Sequence, residues 1–437
     1  MPIRHILTVA VMAAGLLIVP ASAGATDYVP GEVIVKYRDG TTATTEATVE
    51  QESGIAAEQP LPGGSEQVEI EDGESVRETV TELRADPNVA YAVPNHVAHA
   101  SQWVPDDPSS HLQWNLLGEF GIQMPEAWAL ARAAGAPGGR GAVVAVLDSG
   151  VAYERFRRFR RAPDLRASTF ARGYDFIGRD RHPNDVFGHG THVAGTIAQA
   201  TDNGLATAGI AYRAKIMPLR VLDSSGSGDS VAIARAIRYA ARRRVDVINL
   251  SLEFPSDVRS AEIPDVLRAL RFAYRRGVAI VAAAGNQADR AIAYPARASQ
   301  VIAVGATTEN GCEADYSNVG NDLDVVAPGG GIDAPNEDNQ WDVDHCRPDE
   351  SGSTIYQQTF TRGVRSFGLP GGYEGTSMAS PHVSGIAALV IATQRLGPHP
   401  SPRVLERHLE ATARDLGPVG FDRRYGHGLV DAAAALR

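Results

Sequence analysis

Five short runs dominated by apolar residues, at 142–147, 215–221, 245–252, 278–284 and 301–304, alternate along the chain with stretches of helical pattern such as 230–243 and 264–276. No other feature constrains the fold so tightly. A strand with one solvated face alternates apolar and polar residues, whereas a continuous apolar run is buried on both faces. Parallel strands meet that condition, because each crossover helix returns the chain over a face of the sheet and covers it. An α/β fold is therefore expected, in three layers, with a mainly parallel central sheet. In such sheets reactive residues gather beyond the carboxyl ends of strands.

Asp148 ends the first run. His189 lies in Gly188-His189-Gly190-Thr191-His192, and Ser377 in Gly375-Thr376-Ser377-Met378-Ala379-Ser380-Pro381. Each has an ordinary reading on its own. An Asp after a strand forms turns, a Ser at a helix head is a cap, and His189 with His192 could be a metal pair lacking a third ligand. Together they supply a nucleophile, a base and an orienting carboxylate, which a serine hydroxyl needs because it is a weak nucleophile at neutral pH.

The order Asp, His, Ser with these flanks resembles the subtilisin-like serine proteases, one of several unrelated folds that thread the same triad differently. The resemblance implies that Ser377 attacks the scissile carbonyl, His189 is the base and Asp148 holds its imidazole. The segment Ala283-Ala284-Gly285-Asn286 matches the family's oxyanion segment, so Asn286 is expected to donate its side-chain amide to the tetrahedral intermediate, with the Ser377 N–H as second donor. Pro381 is expected within the first turn or so of the Ser377 helix, where its missing N–H is not needed. A catalytically silent binding relative is the rival reading, and the intact residues speak against it. An esterase is another, but the G-x-S-x-G elbow is absent and the triad order differs.

By the same resemblance, Ser227 and Gly228 line the substrate edge, Ser251 and Leu252 form one wall of the S1 pocket, and Ala283 and Gly285 the other. An apolar or aromatic P1 residue is implied. Glu253 departs from the pattern, since the family usually has Gly there. It either faces solvent, narrows the rim or attracts a basic P1 side chain. Gln113, Asp164 and Asn203 stand where the family draws side-chain oxygens for structural calcium, a cation that takes six to eight of them. No cofactor is expected for catalysis.

Arg4, an uncharged run at 6–19 and Ala21-Ser22-Ala23 read as a secretory signal peptide over 1–23. The run falls short of the roughly 20 apolar residues of a bilayer span. The expected product is a soluble protein, secreted or periplasmic, with no membrane contact after signal removal. Residues 27–100 hold 15 Asp/Glu against 4 Lys/Arg, which accounts for essentially all of the net charge of −11. Two units with different surfaces follow. The one basic run, 155–161, is short, and nothing suggests a nucleic-acid partner.

Residues 27–99 read as a small α+β domain, with strands at 32–37, 68–70 and 89–93 and a helix capped by Ser75 and Glu78. Its ending, DPNVAYAVPN, resembles the inhibitor-type propeptides that precede such catalytic domains. That implies a self-inhibited precursor whose propeptide aids folding and is cut away between about Asn95 and Ser110, around the polar linker 100–112. The catalytic domain is expected over 113–437, as a monomer acting on proteins or peptides. Its stretch 329–372 reads as a surface insertion with a strand-like run at 354–360. The two cysteines of this exported chain, Cys312 and Cys346, read as one disulfide that tethers it, with two separate thiols as the alternative.

Overall fold

The computed structural model describes residues 28–71, 73–96, 103–335, 346–348 and 350–437. The signal-peptide reading lies outside the described residues. The chain divides into two compact units, Met1–Ser101 and Gln102–Arg437.

In the first unit, β1 (Tyr28–Tyr37), α1 (Ala43–Glu52), β2 (Ile55–Leu61), β3 (Ser65–Ile70), α2 (Val76–Ala85) and β4 (Val89–His96) follow in order. The strands form an antiparallel sheet in the order β2-β3-β1-β4. Ser75 caps α2 through a full capping box with Glu78. The helix buries Val76, Val80 and Leu83 against Val33 and Val35 of β1. Sequence reading found β1, β3, α2 and β4 but not α1 or β2. Helix α1 buries only Val49, so it carries no apolar stripe to recognise, and β2 contains Pro60.

The second unit holds α3 (Trp114–Leu117), α4 (Met124–Ala133), β5 (Val143–Asp148), β6 (Thr169–Phe170), β7 (Tyr174–Asp175), α5 (His189–Ala198), β8 (Lys215–Arg220), α6 (Ser230–Arg242), β9 (Val247–Leu250) and α7 (Pro264–Tyr274). Next come β10 (Ala279–Ala283), β11 (Ile302–Thr307), β12 (Val325–Pro328), β13 (Thr359–Arg362), β14 (Ser366–Gly368), α8 (Thr376–Ala392), α9 (Pro402–Ala411) and α10 (Ala432–Leu436). The main sheet runs β12-β11-β10-β9-β5-β8-β6, with β7 also on β8, and every pair is parallel.

Strand β5 shows why the sheet needs two covers. Val144 and Val146 pack with α5 and α8 on one face, while Ala145 and Leu147 pack with α6 and α7 on the other. All four are buried, with Val144, Val146 and Leu147 each contributing about 1.5–3 kcal/mol. Helix α6 begins where the Asp229 carboxylate accepts from Val231 and Ala232 N–H, satisfying two of the orphan donors of a helix start. The fold is thus the expected three-layer α/β arrangement.

The described part of 329–372 does not all lie at the surface. Ile355, Gln357 and Thr359 are fully buried, and Ile355 belongs to the same core as α5 and α8. Of the strand expected at 354–360, only the end enters a strand, in the β13–β14 hairpin. A β-branched, aromatic run looks like a strand in sequence. Here the Gln357 and Gln358 amides leave it for tertiary hydrogen bonds instead. Cys312 and Cys346 are disulfide-bonded, with Cα atoms 5.8 Å apart.

Candidate active site

Strand β5 delivers Asp148 to its carboxyl end, α5 opens with His189, and Ser377 is the second residue of α8. Asp148 is fully buried, while the His189 side chain retains 18 % exposure. His189 Nδ1–H donates to both oxygens of Asp148, at 2.8 and 2.9 Å. Burial alone would pull the His189 pKa down. The charge and hydrogen bond of Asp148, helped by the charge of Asp185, overcome this, and the net shift is upward.

The start of α5 is set by a residue that the motif reading missed. Asp185 is buried, and its Oδ1 accepts from Ser149 Oγ, Phe187 N and Gly188 N while its Oδ2 accepts from Thr191 N and Oγ1. Ser149 Oγ in turn accepts from Gly190 N at 3.0 Å. The Asp148 end of β5 is thereby tied to the first turn of α5. Gly190 fits because a Cβ there would lie 2.1 Å from Gly150 O. The sequence signal for Asp185 was its place four residues before His189, within reach of the helix's free N–H groups.

The Ser377 hydroxyl donates to Ser251 O at 3.3 Å, so at rest it is turned to that carbonyl. Pro381 sits five residues into α8, beyond the expected first turn, and cannot donate back to Ser377 O. Ser251 Oγ does so instead, at 2.8 Å, and also pairs with Ser380 Oγ. Ser251 is therefore a support for the Ser377 turn as much as a pocket wall.

Asn286 lies past β10. Its Oδ1 accepts from Thr376 N at 2.8 Å and Thr376 Oγ1 at 3.0 Å. The carbonyl end being held, Nδ2 is the free end of the amide. Thr376 Oγ1 also accepts from Gly285 N, at 3.2 Å. Gly285 has φ +116°, and a Cβ there would lie 2.1 Å from Asn318 Nδ2. Thr376 is thus a second residue that the motif reading passed over, although it adjoins Ser377.

His189, Asn286 and Ser377 open on one cleft of about 430 Å³, with Ser227, Gly228, Ser251, Leu252 and Glu253 also on its walls. Ala283 and Gly285 are buried and do not line it. Glu253 is half-buried, its carboxylate held on the protein: Oε2 accepts from Asn286 N at 2.9 Å and Oε1 from Gln287 Nε2 at 2.6 Å. A larger cleft, about 660 Å³, lies at the opposite, amino ends of β9 and β10, between Arg244, Arg276 and His399.

Gln113, Asp164 and Asn203 come together, but not as calcium ligands. Asp164 Oδ2 accepts from Gln199 Nε2 at 2.7 Å and Thr207 N at 3.2 Å, and its Oδ1 accepts from Asn203 Nδ2 at 2.8 Å. The Gln113 amide is spent on Ala208, accepting from its N–H and donating to its O. Nitrogen donors stand where a cation needs oxygens, so this set does not fit calcium. Burial pushes the Asp164 carboxyl up to about 6, against the lowering effect of the Gln199 and Asn203 amides.

Comparison with known proteins identifies the family. The family model described as "Subtilase family" matches residues 139–428, and that described as "Fervidolysin N-terminal prodomain" matches 18–95. The chain is 33% identical to the thermophilic serine proteinase of Bacillus sp. (strain AK1) over 399 residues, covering 91% of this chain and 86% of that protein. It is 36% identical to thermitase of Thermoactinomyces vulgaris over 335 residues, 77% of this chain and 100% of thermitase. It is 33% identical to an extracellular protease of Xanthomonas campestris pv. campestris, covering 96% of this chain and 76% of that protein. A solved protease structure from Pseudoalteromonas arctica superposes with a TM-score of 0.62 at 32% identity, covering 76% of this chain and 99% of that one.

Proposed function

This chain belongs to the subtilase family and is a serine-type endopeptidase with an N-terminal prodomain; on that premise we propose which residues perform the reaction and how the precursor matures. Ser377 Oγ attacks the scissile carbonyl after turning from Ser251 O toward His189. His189 Nε2 takes the proton and later gives it to the leaving amine. Asp148, on the other ring nitrogen, holds the tautomer and stabilises the imidazolium. Asn286 Nδ2 and the Ser377 N–H, at the positive end of α8, take the developing oxyanion. The 2.8 Å contact of His189 with Asp148, at the mouth of the cleft that also holds Ser377 and Asn286, carries this reading.

The protein is exported and made as a self-inhibited precursor, with the acidic N-terminal unit as folding aid and inhibitor. The names of relatives such as the Xanthomonas extracellular protease support export. The precursor cuts itself between Asn95 and Trp103. Cleavage farther on would sever residues packed into the second unit, since Trp103 stacks edge-on to Trp128 and Asp107 accepts from Asp202 and Asn203 N–H. The mature enzyme acts as a monomer on proteins and peptides. Structural calcium is not assigned to Gln113, Asp164 and Asn203, for the reason given above.

Expression of the full chain beside Ser377→Ala tests this. The parent is expected to lose the N-terminal unit and cleave casein, while Ser377→Ala stays full length after export and leaves casein intact. Equal processing and equal casein cleavage by both would refute it.

A further inference from the structure

Among the described residues, Glu253 is the one Asp, Glu, Lys or Arg on the walls of the cleft. Its carboxylate bridges the two sides. It leaves the chain beside Leu252, and its oxygens end on the Asn286 N–H and the Gln287 amide across the gap. It lies flat on that far side, since a Cβ on Gly285 would come 2.7 Å from Oε2. Both hydrogen-bond partners are neutral, and among the described residues no Arg, Lys or His pairs with it.

Such an arrangement is costly without a further partner. A carboxylate taken partly out of water loses solvation that neutral donors only partly restore. Burial pushes the Glu253 carboxyl above its usual range, with Gln287 and Asn286 opposing the shift. Its position also works against the reaction. It sits on the main chain of Asn286, whose side-chain amide is to stabilise an oxyanion, so a bare negative charge there opposes the charge that develops in the transition state. A cation supplied by the substrate offsets both costs.

We propose that Glu253 makes this enzyme prefer a basic side chain, Lys or Arg, at P1, the residue whose carbonyl Ser377 attacks. The inference rests on the peptidase reading of the cleft. The P1 side chain is the part of the substrate nearest that carbonyl, and the gap it enters beside Ser377 lies between Leu252 and Asn286, where the carboxylate spans. Each Glu253 oxygen already accepts one hydrogen bond and has a lone pair left, so it can receive an ammonium or a guanidinium without giving up its hold on the Asn286 turn. The apolar or aromatic P1 implied by family resemblance does not use this charge.

The test uses the self-processed parent and four peptide anilides that differ only at P1: Lys, Arg, norleucine and Glu. Norleucine has nearly the shape of Lys without the charge. The expected kcat/KM for Lys and Arg exceeds that for norleucine by about tenfold or more, with Glu the slowest. In Glu253→Gln the Lys-to-norleucine ratio is expected to fall to within about threefold of unity, and in Glu253→Asp, which keeps the charge, to stay high. Each ratio is taken within one preparation, so a poorly folding variant still reports it. A parent ratio near one, or an unchanged ratio in Glu253→Gln, overturns the assignment while leaving the peptidase reading in place. Failure of the parent to cleave any of the four refutes the peptidase reading, and the preference with it.

Discussion

Thr376→Val probes how Asn286, the proposed oxyanion donor, is held. Valine keeps the shape of threonine and removes only the hydroxyl. That hydroxyl makes two of the bonds that tie the Asn286 turn to α8: it donates to Asn286 Oδ1 at 3.0 Å and accepts from Gly285 N at 3.2 Å. The Thr376 N–H, at 2.8 Å, remains to hold Asn286. Losing one of two neutral anchors costs about 0.5–1.5 kcal/mol of Asn286 placement, or about 2- to 12-fold in kcat. Complete removal of such a donor costs on the order of 100- to 1000-fold, so Asn286→Ala sets the ceiling. Leaving the buried Gly285 N–H without a partner also costs about 1–3 kcal/mol of stability, read as a lower melting temperature. The decisive assay is a double-mutant cycle on an anilide substrate. Thr376→Val is expected to slow the parent but not the Asn286→Ala enzyme, and Thr376→Ser to restore most of the rate. If Thr376→Val slows the Asn286→Ala enzyme as much as the parent, Thr376 does not act through Asn286.

Other perturbations test other parts of the site. His189 has a raised pKa, so it becomes protonated at a higher pH than a free histidine. The acid limb of kcat/KM is expected above about 6.5, with rate lost as pH falls through it. In Asp148→Asn that limb should move down and kcat should drop by about 10⁴; an unmoved limb would contradict the pairing. His192 is buried, donates Nε2–H to Ile355 O, stacks on Tyr373 and has its pKa pulled down by burial to about 3. His192→Phe keeps the ring but orphans that carbonyl, costing about 1–3 kcal/mol at pH 7 by denaturant unfolding. A lowered folded pKa means that stability is lost as pH falls below the unfolded value of about 6.5, by about 1.4 kcal/mol per unit in the parent only. The gap should therefore close near pH 5, and a gap independent of pH would contradict the buried neutral state. Calcium and a chelator are expected to leave the melting temperature equally unchanged at the Asp164 network. A calcium-dependent rise that Asp164→Asn abolishes would show that the amides make way for an ion.

The sheet was legible because its strands are buried on both sides, and a continuous apolar run has few other solutions. Asp148, His189, Asn286 and Ser377 stood out because their flanking residues are constrained by the turns and helix starts that present them. Residues whose meaning depends on distant partners were not legible. Glu253 meets Asn286 and Gln287 more than 30 positions away, and sequence does not tell a carboxylate across a cleft from one in water. Thr376 was overshadowed by its neighbour, and its contacts reach back 90 residues. The calcium reading took the Gln113 and Asn203 amides as oxygen donors, but an amide offers either an oxygen or an N–H pair, and here Asn203 gives its N–H to Asp164 while Gln113 is paired with Ala208. The Gln199, Gln357 and Gln358 amides that fill the Asp164 region come from segments with no metal pattern. Gln357 and Gln358 also explain why the 354–360 run leaves the strand geometry that its composition suggests.

Whether Ser377 is the nucleophile is tested most directly by covalent capture. The processed parent, treated with diisopropyl fluorophosphate and then digested and sequenced by mass spectrometry, is expected to carry one phosphoryl adduct, on Ser377. The adduct should form more slowly in His189→Ala and be absent in Ser377→Ala. An adduct on another serine that tracks the loss of activity, or full peptide hydrolysis by Ser377→Ala, would contradict the assignment.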